Sequence, residues 1–182
     1  QSAGMTEEGM RVFARSCGRW QHVTRLNISQ NSIGIQGARE LAAALPDTGL
    51  TTLVLGPRAT ELCKDHCGRL DVAGKGLGQP EMTIVASWLA AKAAAGVDEL
   101  DISGNKIGDE GKRALAAVLP AAKLQRVSLD LGNGKVQLAA SDTALSLANK
   151  GMKPIDIQFL ASWLSTEATA GVEEMNISMI PI

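Results

Sequence analysis

Val97-Asp-Glu-Leu-Asp-Ile-Ser-Gly-Asn-Lys-Ile-Gly-Asp-Glu-Gly-Lys-Arg-Ala-Leu-Ala-Ala-Val-Leu119 holds a strand, a turn and a helix in one short stretch. Leu100 and Ile102 alternate with Glu99, Asp101 and Ser103, the period of a strand with one apolar and one polar face. Gly111 to Leu119 then changes to the helical period, and Pro120 stops it. The same pattern occurs upstream. Leu26 and Ile28 alternate with Arg25, Asn27 and Ser29, Gly34 and Gly37 punctuate a turn, and Ala38 to Leu45 forms a short helix with Leu41, Ala42 and Leu45 on one stripe before Pro46. A strand and a helix of these lengths cannot bury their apolar sides alone, so the pattern predicts stacked units with a shared core.

Outward from these two stretches the chain repeats itself. Leu26-Asn-Ile-Ser-Gln-Asn-Ser-Ile-Gly34 matches Leu100-Asp-Ile-Ser-Gly-Asn-Lys-Ile-Gly108, an offset of 74 residues. Leu70-Asp-Val-Ala-Gly-Lys-Gly-Leu77 matches Leu145-Ser-Leu-Ala-Asn-Lys-Gly-Met152, an offset of 75. Ala86-Ser-Trp-Leu89 recurs as Ala161-Ser-Trp-Leu164, and Ala95 to Ser103 recurs as Ala170 to Ser178. Super-repeats of about 75 residues, 23–96 and 97–171, are therefore expected within a single domain spanning 1–182. Strand-like cores at 26, 53, 70, 100, 127, 145 and 175 are spaced by 27, 17, 30, 27, 18 and 30 residues. The long steps fit strand, turn and helix. The short ones do not, and Asn133-Gly134 is a strong hairpin signal. Hairpin-like excursions are expected at about 56–69 and 130–144.

These residues resemble the ribonuclease-inhibitor-like class of leucine-rich repeats. Val23 to Leu45 and Val97 to Leu119 are near-complete copies of its repeat, and weaker copies extend the resemblance over most of the chain. The resemblance implies an α/β leucine-rich-repeat solenoid with an inner, mostly parallel sheet, outer helices and protein binding on the concave face and rim. Asn31 and Asn105 match the position where the family places an inward Asn that bonds the turn backbone. Lys75 and Lys150 stand at the matching place in the other units. A lysine has no acceptor, so those turns are expected to be rebuilt, in a short, irregular, right-handed arc. Leu26, Ile28, Ile33, Leu41 and Leu45 are expected to form one buried layer, matched by Leu100, Ile102, Ile107, Leu115 and Leu119. Leu26, Leu53 and Leu100 are expected on strands of one sheet.

Composition narrows the function. The 182 residues include no Tyr, two Phe and three Trp, which suits a core of small repeated shapes. A formal net charge of −1 gives no electrostatic reason to expect nucleic acid. No apolar run reaches the length of a membrane span. Three cysteines, an odd number, point to a reducing, intracellular and cytoplasmic setting. The chain opens on Gln1 and closes on a strand-like Met175-Asn-Ile-Ser, so it is expected to be part of a longer chain or a subunit of a larger assembly.

The chemistry-bearing residues are few. Cys63-Lys-Asp-His-Cys67, with His22 or Cys17 as a remote fourth ligand, has the donor types of a zinc site. Its spacing is not diagnostic and the second super-repeat has no counterpart, so incidental surface thiols are the reading adopted and no metal is expected. Gly74-Lys-Gly-Leu-Gly78 and Gly132-Asn-Gly-Lys135 lack the spacing of a phosphate loop and are read as turns. Asp98, Glu99, Asp101, Glu173 and Glu174 are read as solvated carboxylates, and Trp88 and Trp163 as packing residues. With only His22 and His66, no catalytic triad is arguable, and neither catalytic residues nor a cofactor are expected.

A binding module or scaffold for another protein is the expected function. A structural accessory subunit is an alternative, as is a regulator of a small GTPase, for which Arg25, Asn27 and Arg126 are the candidates. Strand residues pointing away from the helices should carry the contacts. They are Arg25, Asn27, Thr52, Val54, Arg69, Asp71, Glu99, Asp101, Arg126, Ser128, Glu174 and Asn176.

Overall fold

A computed structural model describes residues 4–17, 20–63, 68–91 and 96–178. The chain order is α1 (Glu7–Ser16), β1 (Arg25–Asn27), α2 (Gly34–Ala44), β2 (Thr52–Leu55), β3 (Thr60–Cys63), β4 (Arg69–Asp71), α3 (Gln79–Ala90), β5 (Glu99–Asp101), α4 (Gly108–Val118), β6 (Arg126–Leu131), β7 (Gly134–Ala139), β8 (Ala144–Ser146), α5 (Pro154–Leu164) and β9 (Glu174–Asn176). The five helices pack in a row, each against the next. One continuous apolar cluster lies between the helices and the strands. Leu53, Leu70, Leu100, Val127 and Leu145 enter it from the strand side, and Leu41, Trp88, Leu115, Phe159 and Trp163 from the helix side.

The expected layer is present with one exception. Leu100, Ile102, Ile107, Leu115 and Leu119 are buried, as are Ile28, Ile33, Leu41 and Leu45. Leu26 is only half-buried, because β1 is the outermost strand of its sheet. The helices begin earlier than the periodicity suggests, at Gly34 and Gly108, where φ values of +63° and +60° suit glycine. Pro46 lies inside a 3₁₀ turn, Leu45–Asp47, that continues α2.

Helix α1 adds an element that the repeat pattern does not announce. Thr6 caps it, its hydroxyl accepting the Gly9 N–H at 3.3 Å, and Glu7 and Glu8 favour its positive end. Its Met10 rests on Gly37 of α2, where an added Cβ would meet Met10 Cγ at 2.9 Å. Met82 of α3 rests in the same way on Gly111 of α4, at 3.0 Å. So α1 meets α2 as α3 meets α4. Asn31 completes the likeness. Its Oδ1 accepts the Met5 N–H at 2.6 Å, as Asn105 Oδ1 accepts the Leu77 N–H at 3.0 Å.

The expectation of one sheet is corrected. Leu26 and Leu53 share a three-stranded sheet, β1-β2-β3, while Leu100 lies in a separate four-stranded sheet, β4-β5-β6-β7; among the described residues, β8 pairs only with β9. The cause is the pair of hairpins. β3 returns antiparallel along β2, and β7 along β6, each taking the edge to which the next unit's strand would bond. The excursions therefore do not leave the sheet; they end it.

The hairpin tips reach the two turns that carry a lysine. Arg58 Nη1 donates to the Gly74 carbonyl at 2.6 Å, and the Asn133 N–H donates to the Lys150 carbonyl at 2.7 Å. Each tip thus bonds the turn that carries a lysine instead of the inward asparagine. Gly132 makes this approach possible. At its φ of +54° an added Cβ would stand 1.8 Å from the Lys150 carbonyl oxygen. Gly132→Ala is expected to cost at least about 2 kcal/mol, the left-handed penalty plus displacement of the tip. Gly134→Ala, with nothing within 4 Å of its Cβ, serves as the control. Equal chemical-denaturation midpoints for the two variants would refute this account.

Candidate functional site: the polar face of the strands

The strand side chains that point away from the helices line up in rows, because each parallel pair aligns strand starts. Arg69, Glu99 and Arg126 share one row with Ala139 of β7; Asp71, Asp101 and Ser128 share the next with Gln137. In the first sheet Arg25, Thr52 and Cys63 form one row, and Asn27, Val54 and Glu61 the next.

The two sheets present these rows unequally. Arg25, Asn27, Arg69, Asp71, Glu174 and Asn176 are exposed, and Thr52, Glu99 and Arg126 are half-buried. Asp101, Ser128 and Val54 are buried, at 8%, 7% and 4% exposure. The three are therefore poor contact residues. The reason is the return strand. Lys135 on β7 reaches across to Asp101, Nζ to Oδ2, at 2.9 Å, and Arg69 flanks the same oxygen at 3.9 Å. The other oxygen of Asp101 accepts the Ser103 N–H at 3.1 Å and the Ser103 hydroxyl at 2.6 Å. Burial pushes the Asp101 carboxyl up, but the bonds from Ser103 and Lys135 outweigh it and hold its pKa below the ordinary carboxylate value.

Charges on this face are paired, across strands or along one. Arg126 bonds Glu99, Arg69 bonds Asp71 at 2.9 Å, and Arg25 bonds Glu61 of β3 at 3.0 Å. Arg25 and Arg126, the cations of the GTPase reading, are thus both engaged. The hairpin residues Glu61, Lys135 and Gln137 join the face. Their alternation with buried Leu62, Val136 and Leu138 carries the signal in the sequence.

Elsewhere the polar chemistry is structural. Asp156 is fully buried in the first turn of α5. It pairs with Lys112 of α4, and its Oδ2 accepts the Lys153 N–H at 2.9 Å. Cys17 lies in the core at the end of α1, and burial raises its thiol to about 11. Cys63 stands beside Thr52 and Glu61, with its sulfur 3.5 Å from Glu61 Oε1. His66 and Cys67 lie outside the described residues. Among the described residues, no three His, Cys, Asp or Glu side chains group as metal ligands do. Gly74, Gly76 and Gly132 occupy turns at positive φ. Trp88 and Trp163 are buried at equivalent places in α3 and α5. Among the described residues, no helix is long and apolar enough to cross a membrane.

Residues 21–42 and 97–116 match the leucine-rich-repeat family. The chain is also similar to the ribonuclease inhibitor of Sus scrofa, with 27% identity over 81% of this chain and 46% of that protein. It therefore spans about half the length of that relative. The first matched stretch holds β1 and most of α2, the second β5 and most of α4.

Proposed function

We propose that this chain, a leucine-rich-repeat protein of the ribonuclease-inhibitor-like class, binds another protein through the polar face of its strands and catalyses no reaction. The observation that carries this reading is the set of cross-strand rows. Polar side chains stand on short, hydrogen-bonded strands, and ion pairs hold most of the charged ones in place, so a partner meets a surface that needs little ordering. We read the stacked units as a short right-handed arc with this face inside and the helices outside, in the cytoplasm.

The paired charges shape the test. Reversing Glu99 and Asp101 would break internal bonds to Arg126 and Lys135, so a loss of binding would not identify a contact. Asn27 and Gln137 are exposed on the two sheets, while Ala117 and Gln158 are exposed on α4 and α5. A photo-cross-linking residue placed at each position in turn, in extract of the source cells, should capture one protein species from Asn27 and Gln137. Capture confined to Ala117 and Gln158 would place binding on the helices and overturn the proposal.

A further inference from the structure

The polar face of the strands is not flat. Across β4, β5, β6 and β7 it holds a recess of about 200 Å³, lined chiefly by Arg69, Glu99, Asp101, Arg126, Lys135 and Gln137. Three cations and two carboxylates meet there.

The carboxylates are already taken. Asp101 accepts Ser103 twice on one oxygen and Lys135 on the other, and Glu99 accepts Arg126. The cations are not used up. A guanidinium and an ammonium can each give several hydrogen bonds. Among the described residues, Arg126 gives one, from Nη1; Lys135 gives one, to Asp101; and Arg69 gives one, from Nη2 to Asp71 beside the recess. The Nε–H of Arg126 is buried and, among the described residues, has no acceptor. Nε and Nη2 form the edge of a guanidinium that takes a carboxylate through two parallel bonds. The side chain as a whole is 43% exposed, so that edge can turn into the recess when an acceptor arrives. Gln137 adds an exposed amide to the wall. Unmet donors thus outnumber unmet acceptors, which is the condition for holding an anion.

The first sheet shows that the fold does not require this set. Its registers place Arg25, Asn27 and Thr52 where the second sheet has Glu99, Asp101 and Arg126. Ala59, one residue before the strand pair Leu55 and Thr60, stands where Lys135 precedes the pair Leu129 and Val136. Strands pair in parallel and a hairpin returns in both sheets, so the charges of the second are not what the architecture needs.

We propose that this recess takes a carboxylate of the partner protein, an Asp or Glu side chain held by Arg126 and Lys135, with Arg69 and Gln137 beside them. The proposal rests on the polar-face reading and names the partner's chemistry there, an acidic segment. With Asp71 counted, the fixed charges around the recess nearly balance. A carboxylate adds one negative charge; a phosphate dianion would crowd more against Glu99 and Asp101.

Nuclear magnetic resonance on the whole chain tests it, with an end-blocked tri-glutamate peptide as probe at matched, low ionic strength. The Nε–H signal of Arg126 and the side-chain amide of Gln137 should shift together and saturate. End-blocked tri-glutamine should move neither. Tri-glutamine with a free C-terminus distinguishes a terminal carboxylate from a side-chain one, and should bind more weakly than tri-glutamate. D101N/K135A and E99Q/R126T remove the charges in pairs, so neither strands a buried charge. Each should weaken tri-glutamate binding, followed at Gln137, by about tenfold or more. Binding that both double variants leave unchanged overturns the proposal. So do equal shifts with end-blocked tri-glutamine, equal binding of the free C-terminus, or tighter binding of inorganic phosphate. The polar-face reading fails by a different result, capture confined to Ala117 and Gln158. Capture from Gln137 with no response to tri-glutamate defeats the recess proposal alone.

Discussion

Asp156→Ala is expected to lower the free energy of unfolding by about 3–5 kcal/mol, the range for removing one partner of a buried ion pair. Asp156 is fully buried and Lys112 nearly so, with side chains 1% and 13% exposed. The substitution strands the ammonium of Lys112 between two helices with no counter-charge. It also removes the acceptor that holds the Lys153 N–H at the start of α5. A second variant separates these effects. K112M/D156L deletes both charges with side chains of similar size, so it should recover most of the loss of the ion pair but not the cap. Urea denaturation of the three proteins decides. A midpoint for Asp156→Ala equal to that of the wild type would mean that the pair contributes nothing.

Leu100→Ala is expected to cost about 2–5 kcal/mol, the transfer term plus the cavity left in a packed core. Leu100 lies on β5, the strand flanked on both sides, and is 1% exposed. Met175→Ala is the informative companion. Met175 holds the same place in the repeat but is 42% exposed, so its truncation removes little buried surface. The expected cost in the isolated chain is below about 1 kcal/mol, as for surface substitutions generally. Denaturation at low protein concentration should therefore separate two residues that the repeat pattern equates. Equal losses would show that the end of the strand series is covered in solution.

Most of the unit structure was legible in the sequence, because it rests on local periodicity. Leu100 and Ile102 give the strand, Leu115 and Leu119 the helix, and the offsets of 74 and 75 equate the copies. Asn133-Gly134 marked a hairpin, though not its place in the sheet. Whether a return strand leaves the sheet or caps it depends on which edge is vacant, a long-range property with no local sign. That is why a single sheet was expected where hairpins divide three. Helix α1 escaped notice because, among the described residues, no strand alternation stands before it to announce a unit. Its equivalence with α3 rests on Met10 over Gly37, one contact rather than a pattern.

The polar face was legible in position but not in state. Alternation correctly placed Arg69, Glu99 and Arg126 on one side, because strand geometry fixes direction. Burial of Asp101 and Ser128 was not legible, since it depends on Lys135 arriving from a strand some thirty residues onward. Asp156 was missed outright. A lone acid in the first turn of a helix reads as a solvated cap, and only the packing of α4 on α5 brings Lys112 to it.

The return strands β3 and β7 also bear on how such a chain gains and loses length. Among the described residues, no backbone ladder crosses from β3 to β4 or from β7 to β8. A duplication or deletion whose breakpoints fall at these two seams would sever no strand pairing. The new junction would need only a helix that fits its neighbour and a hairpin tip that reaches the next turn. Breakpoints inside β4-β5-β6 would tear a ladder apart. The hairpins thus mark where the architecture could be cut or joined without breaking a ladder.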